Sequence, residues 1–130
     1  MNYAIGIDVG KQEMVACIRS SKGLAGDTIS IPNSNTGVEK FLSLLEKKGI
    51  AKETPILVES TGPYHWCIAK RAMETAWNIK VINPILTKRI VRHSIRKLKT
   101  DKVDSRHLAF LASQGYGYSF RETADMAHLK

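Results

Sequence analysis

The sequence has few cysteines and no long apolar run. Cys17 and Cys67 are the only cysteines among 130 residues, too few for a disulfide framework and without the spacing of a metal site. No segment approaches the roughly 18 consecutive apolar residues that a membrane-spanning helix needs, and the N-terminus lacks the apolar core of a signal peptide. These absences predict a protein of the reducing cytoplasm without a membrane partner.

Acidic residues are also scarce relative to basic ones. Twelve Asp and Glu residues stand against 20 Lys and Arg residues, which gives a net charge of +8. The proportions of hydrophobic residues (43%) and charged residues (25%) are those of an ordinary globular chain, and the length suits one domain with one sizeable core. The positive excess favours a polyanionic partner such as nucleic acid.

Most of the positive excess lies in residues 88–106, which we call the basic block. Its only acidic residues are Asp101 and Asp104. A block of this kind can contact nucleic-acid phosphates and release their counterions, although a solvated helix face has the same composition. The basic residues of the block are Lys88, Arg89, Arg92, Arg96, Lys97, Lys99, Lys102 and Arg106.

Short apolar runs predict five strands. The first three are predicted over Tyr3 to Val9, Met14 to Arg19 and Asp27 to Ile31, and their short connections make the middle of this meander antiparallel. Two later strands are predicted over Pro55 to Glu59 and Trp77 to Ile82. The Pro55 to Glu59 run is continuously apolar before its last residue, as expected for a buried parallel strand.

Helical spacing of apolar residues separates and follows the later strands. One helix is predicted after a cap at Asn35 or Thr36, and a second from Pro63 to about Thr75. A basic helical segment is predicted after Pro84, and a last helix from about Thr100 to Ser113. This order predicts an α/β fold of ribonuclease-H-like topology, with a mixed five-stranded sheet and helices on both faces.

Four carboxylates are spaced so that the fold can bring them together. Asp8 and Glu59 lie at the ends of two predicted strands, where α/β sheets commonly hold their ligands. Asp101 and Asp104 are three residues apart, so on a helix they share one face. Close carboxylates repel one another unless a cation binds, and oxygen ligands suit Mg²⁺ or Mn²⁺. Two such ions about 3.5–4 Å apart serve phosphodiester chemistry.

Each acid taken alone has a simpler interpretation. Asp8 is suited to a turn, and Glu59 to capping the helix that follows it. Asp101 is suited to the first turn of a helix, and Asp104 to a surface pair with a nearby lysine. The combination of all four within a basic surround favours the metal-binding interpretation.

Four segments occur in an order typical of one family. They are Gly6-Ile7-Asp8-Val9-Gly10-Lys11, Val58-Glu59-Ser60-Thr61-Gly62-Pro63-Tyr64, Val81-Ile82-Asn83-Pro84 with Thr87-Lys88-Arg89, and Lys99-Thr100-Asp101-Lys102-Val103-Asp104-Ser105-Arg106. Over about Tyr3 to Ser113 the chain resembles the N-terminal domain of the DEDD transposases of insertion sequence (IS) family 110, to which the pilin-gene invertase is related. The third and fourth of these segments, in this order and spacing, are highly specific to that family, whereas Gly-Ile-Asp-x-Gly alone is not.

The resemblance implies a fold similar to the Holliday-junction resolvase RuvC and a catalytic, metal-binding set of acids, namely Asp8, Glu59, Asp101 and Asp104. It implies Mg²⁺- or Mn²⁺-dependent cleavage of DNA strands during transposition of an insertion sequence. It also implies a homo-oligomer on DNA and an element-encoded guide RNA as partners. We expect the nucleic acid to be bound by Lys11, Tyr64 and the basic residues of the basic block.

Members of this family continue into a C-terminal domain that carries a catalytic serine. The expected organisation is therefore a RuvC-like catalytic domain over residues 1–114, with a tail or the start of a linker over 115–130, since Gly115 and Gly117 stop the last helix. Without the serine-bearing domain we expect metal and nucleic-acid binding but incomplete transposition. The alternative is a non-catalytic module that binds DNA or guide RNA through the basic block.

Overall fold

The computed structural model describes residues 2–21, 26–94 and 103–120, with the backbone alone at residues 91–94. It contains six strands, which are β1 (Tyr3–Val9), β2 (Glu13–Ser20), β3 (Thr28–Pro32), β4 (Ile56–Glu59), β5 (Ile79–Ile82) and β6 (Tyr118–Ser119). They form one mixed sheet in the order β3-β2-β1-β4-β5-β6. Strands β1, β4 and β5 are parallel, and β2, β3 and β6 pair antiparallel to their neighbours.

Four helices complete the described fold: α1 (Asn35–Lys47), α2 (Trp66–Glu74), α3 (Pro84–Ser94) and α4 (Ser105–Ser113). The predicted order of the first five strands is confirmed, but the prediction of five strands is wrong by one. The sixth strand has only two residues, and both are exposed. A strand this short is not predictable from the sequence, because two residues are too few to show an apolar alternation. None of the helices described here has the length and apolarity needed to cross a membrane.

Helices α1 and α2 cover one face of the sheet. Val38, Phe41 and Ile68 are buried against alternate strand residues such as Ile5 and Ile7, which makes this the main core. Helix α1 is capped by Ser34, whose Oγ accepts a hydrogen bond from the Gly37 amide at 3.0 Å. The cap is therefore one residue earlier than the predicted Asn35 or Thr36.

Helix α4 crosses the opposite face directly over β1. A Cβ atom added to Gly6 would lie 2.1 Å from the Ala109 nitrogen and 2.4 Å from the Ser105 oxygen, so only glycine lets the two backbones approach this closely. Ala4, at the start of β1, shares a core cluster with Leu111, near the end of α4. Helix α4 therefore runs antiparallel to β1, and its N-terminus points to the end of β1 that carries Asp8.

The predicted start of the last helix, at about Thr100, is wrong. Helix α4 begins at Ser105, and Asp104 is its N-cap residue with extended backbone angles. The predicted start of the second helix is also early, because residues 62–65 form turns and α2 begins at Trp66. Asp104 therefore precedes its helix, and Asp101 lies outside the described residues.

Candidate active site at the carboxyl edge of the sheet

The parallel strands end at one edge of the sheet, which we call the carboxyl edge. Ile7 is level with Val58 in the pairing of β1 with β4, so the next residue on each strand places Asp8 beside Glu59. Side chains alternate along a strand. Asp8 therefore shares the face of Gly6, which contacts α4, and Glu59 shares the face of Leu57, which packs in the same cluster as residues of α4.

The carboxyl group of Glu59 lies where burial and a neighbouring negative charge disfavour its ionised form. Burial raises its pKa above the ordinary value of 4.5, and the neighbouring charge of Asp8 raises the pKa further. A hydrogen bond from Thr87 and the positive charge of Lys88 act in the opposite direction and favour the ionised form. The two carboxylates therefore repel each other in the metal-free protein, and a cation between them would relieve that repulsion.

Thr87 is a site residue whose contact the sequence does not reveal. It is fully buried in α3, and hydrogen bonding by its side chain is one of the causes that lower the pKa of Glu59. Its Oγ1 lies 3.1 Å from the carbonyl oxygen of Asn83, one helical turn earlier. Because a hydroxyl has one proton, it can donate to only one of these two acceptors at a time. A polar side chain on the apolar face of a helix was the available sign of this contact.

Substituting Thr87 tests whether its hydroxyl holds the Glu59 carboxylate. We expect Thr87→Val to raise the pKa of Glu59 further, because the variant keeps the side-chain shape and loses the hydrogen-bond donor. Thr87→Ser keeps the donor and should leave the pKa close to that of the wild type. Carbon-13 NMR titration of the Glu59 carboxyl group in metal-free protein measures the difference. Equal pKa values in the two variants would show that the hydroxyl does not donate to Glu59.

Asp104 has a defined structural role at the start of α4. Its Oδ1 accepts hydrogen bonds from the amides of Arg106 at 2.9 Å and His107 at 3.3 Å. His107 returns the contact, since its Nδ1 accepts from the Asp104 amide at 3.1 Å. An Nδ1 that accepts carries no proton, so its 3.5 Å separation from the Asp104 carboxylate is not an ion pair. This capping box orients the Asp104 carboxylate at the end of α4 that points to the carboxyl edge.

The structure describes three of the four predicted metal ligands, and it places two of them, Asp8 and Glu59, side by side. Within residues 2–21, 26–94 and 103–120, no three His, Cys, Asp or Glu side chains are grouped closely enough to hold an ion. Asp101, the fourth predicted ligand, lies outside those ranges. Asp8 and Glu59 offer adjacent carboxylate oxygens, which is the donor chemistry that Mg²⁺ and Mn²⁺ prefer. This pair fits a divalent cation, and Asp101 and Asp104 stay predicted ligands.

Exposed cations surround the carboxyl edge. Lys11 lies in the hairpin that follows β1, Lys88 and Arg89 lie on α3 after β5, and Arg106 lies in the first turn of α4. Tyr64, in the loop that follows β4, is 40% exposed. The other predicted nucleic-acid contacts have no described side chain; they are Arg92, Arg96, Lys97, Lys99 and Lys102.

Asn33 joins two loops at this edge. Its Nδ2 donates to the carbonyl oxygen of Gly10 at 2.8 Å and to that of Tyr64 at 2.9 Å. One side chain thus fixes the hairpin that carries Lys11 against the loop that carries Tyr64. The sequence does not predict this contact, because Asn33 follows β3 and is distant in the chain from Tyr64.

The architecture resembles that of RuvC. RuvC from Thermus thermophilus, in a structure with a Holliday junction substrate, has 13% identity and a TM-score of 0.57, covering 92% of this chain and 100% of that chain. A second Thermus thermophilus RuvC structure has 13% identity and a TM-score of 0.60, covering 91% of this chain and 99% of that chain. The fold is therefore RuvC-like and belongs to the RNase H-like class, as predicted.

Family membership follows from a second comparison. The family model of the DEDD transposases of insertion sequence family 110, described as a transposase, matches residues 5–130. A comparison with curated protein sequences finds no significant match. The chain belongs to this DEDD transposase family, which confirms the resemblance seen in the sequence.

Proposed function

We propose that this domain cleaves DNA strands in a divalent-metal-dependent reaction during transposition of an insertion sequence. The observation that carries the proposal is the adjacent pair Asp8 and Glu59 at the carboxyl edge, surrounded by exposed cations. Family membership supports a transposase. The Holliday junction bound to one RuvC relative supports DNA as the substrate class.

The proposed chemistry assigns separate roles to the residues of the edge. Asp8, Glu59 and Asp104, together with Asp101, would hold Mg²⁺ or Mn²⁺. When bound, such a cation supplies positive charge for the scissile phosphate and lowers the pKa of an attacking water. Thr87 orients the Glu59 carboxylate and favours its ionised form. Lys11 and Arg106, exposed at the same edge, would bind backbone phosphates and fix the position of the strand.

A metal titration of paired carboxylate variants tests the proposal. We expect Mn²⁺ to raise the melting temperature of the wild type and of Glu53→Gln, a control carboxylate exposed before β4, but not that of Glu59→Gln. A ligand bound only by the folded state adds about 2.7 kcal/mol of stability at a hundredfold excess over its Kd. Cleavage of labelled branched DNA should follow the same pattern. An equal response in Glu59→Gln and Glu53→Gln would overturn the proposed site.

The second candidate is a non-catalytic nucleic-acid-binding module that uses the basic block. It is favoured by the exposed cations Lys88, Arg89 and Arg106. This function predicts salt-sensitive binding that survives Glu59→Gln, with no metal-dependent cleavage. The guide RNA and the homo-oligomer on DNA stay predictions from the resemblance.

A further inference from the structure

Helix α3 presents an exposed apolar tip at the carboxyl edge. The helix begins directly after β5, and the Asn83 Oδ1 accepts a hydrogen bond from the Ile85 amide at 2.8 Å. The side chains that follow this cap are unusually exposed for their type, since Ile85 is 69% exposed and Leu86 is 43% exposed. Two large aliphatic groups thus face solvent next to the strand end that carries Glu59.

Cations follow the apolar tip along the same side of the helix. Lys88 and Arg89 are three and four residues after Ile85, which places them on its face of α3, and both are exposed. The opposite side of the helix faces the sheet, where Thr87 is fully buried. The sequence of α3 contains no acidic residue. We call Ile85, Leu86, Lys88 and Arg89 the outer face of α3.

The chemistry of this face selects its partner. A second copy of the chain would bring an equal net charge of +8 and the same cationic face, so charge repulsion opposes self-association there. A nucleic acid satisfies both parts of the face, because its phosphates pair with Lys88 and Arg89 while its bases offer apolar surface. In a duplex the base faces are stacked on each other. An unpaired nucleotide exposes a base face that aliphatic and aromatic side chains can cover.

We propose that the outer face of α3 binds unpaired nucleotides beside the strand to be cut, with Ile85 and Leu86 against a base and Lys88 and Arg89 on the flanking phosphates. Tyr64, 40% exposed in the loop after the neighbouring strand β4, adds an aromatic surface at the same edge. The inference rests on the proposed function only in taking nucleic acid as the partner. It adds that the domain distinguishes unpaired from paired nucleotides.

Binding measurements in metal-free buffer with EDTA separate the apolar contact from the ionic ones. The probes are a short fluorescent single-stranded DNA and the same strand in a duplex, each titrated at several salt concentrations. We expect Ile85→Ser to weaken single-strand binding about tenfold, which corresponds to about 1.4 kcal/mol, with an unchanged salt slope, because an apolar contact releases no counterions. Lys88→Gln should reduce the slope of log K against log salt by about 0.7.

Two comparisons show whether the loss is specific. Duplex binding by Ile85→Ser should change much less than single-strand binding. Tyr116→Ser removes another exposed side chain, beyond the C-terminal end of α4, and should change neither. All variants should melt close to the wild-type temperature. If Ile85→Ser melts well below it, Leu86→Ser provides a second test of the apolar tip.

Several results would overturn the inference. Unchanged single-strand affinity in both Ile85→Ser and Leu86→Ser would show that the tip makes no contact, and equal losses on duplex and single strand would exclude a preference for unpaired nucleotides. A wild-type dimer that Ile85→Ser dissociates in sedimentation would assign the tip to a second copy. Normal oligonucleotide binding without metal-dependent cleavage would overturn the proposed function and leave this inference standing.

Discussion

Replacing Gly6 with alanine is expected to lower the melting temperature by about 10 °C or more. The added Cβ would lie 2.1 Å from the Ala109 nitrogen, 2.4 Å from the Ser105 oxygen and 2.5 Å from the Leu108 carbonyl carbon. These are backbone atoms of α4, so no side-chain rotation relieves the overlap. The helix must move away from β1, at a cost of about 3 kcal/mol, the upper end of the usual range for overpacking.

The displacement should also disturb the candidate site. Helix α4 carries Asp104 at its N-cap, so a shift of the helix moves that carboxylate relative to Asp8 and Glu59. We therefore expect Gly6→Ala to reduce the stabilisation by Mn²⁺ as well as the melting temperature itself.

Thermal unfolding followed by circular dichroism measures the effect, with Gly10→Ala as the matched control. A Cβ at Gly10 meets a single neighbour, the Glu13 oxygen at 3.0 Å, so its loss of stability should be much smaller. Melting of Gly6→Ala within about 2 °C of the wild type, less than the effect of 1 kcal/mol in a domain of this size, would contradict the close crossing of α4 over β1.

Neutralising Asp8 is expected to abolish metal-dependent DNA cleavage. Asp8→Asn removes a carboxylate proposed to hold the cation, so the loss should exceed the roughly 10- to 100-fold effect typical of residues that only orient metal ligands. Asparagine keeps nearly the same shape, and the fold should persist. Initial rates on labelled DNA across a range of Mg²⁺ concentrations measure the loss, with Glu53→Gln as the control. Cleavage near the wild-type rate would remove Asp8 from the proposed mechanism.

The same variant should change how stability depends on pH. The pKa of Glu59 is raised in the folded protein, so the folded state binds its proton more tightly than the unfolded state does. This stabilising contribution is fully present below the ordinary pKa of 4.5 and is lost as the pH rises through the raised pKa. Metal-free protein should therefore lose this part of its stability upon going from acidic to neutral pH.

Asp8→Asn removes one of the causes that raise the pKa of Glu59, so the loss of stability with rising pH should be smaller. Melting curves in EDTA over a series of rising pH values, starting below the ordinary pKa of 4.5, test this, because the contribution is lost as the pH rises through the raised pKa. Glu59→Gln should remove the Glu59 contribution altogether. A steeper loss in Asp8→Asn than in the wild type would contradict repulsion between the two carboxylates.

Much of the fold is predictable because its pattern is local. The apolar run in β4 and the helical spacing in α1 report burial of neighbouring residues, so the order of the first five strands follows from the sequence. The Asn83-Pro84 segment, the spacing of Asp101 and Asp104 and the two earlier segments identify the family. The position of Asp8 and Glu59 at strand ends also follows from the sequence alone.

The remaining features depend on contacts between residues far apart in the chain. The closeness of Gly6 to α4, the pairing of β6 with β5 and the bridge made by Asn33 each join segments whose separation no local pattern records. In the sequence Thr87 stands out only as a polar residue on the apolar face of α3, and its partner Glu59 is decided when α3 packs against the sheet.

The site shows the same division. The sequence determined which carboxylates and cations are present, because chemistry belongs to residue types. Only the tertiary structure decided that Asp8 lies beside Glu59, that the Asp104 carboxylate caps α4 and that Ile85 stays exposed at the carboxyl edge. The physical reason is that strand register, helix crossing and solvent exposure are fixed by the packing of the whole domain, which no single segment determines.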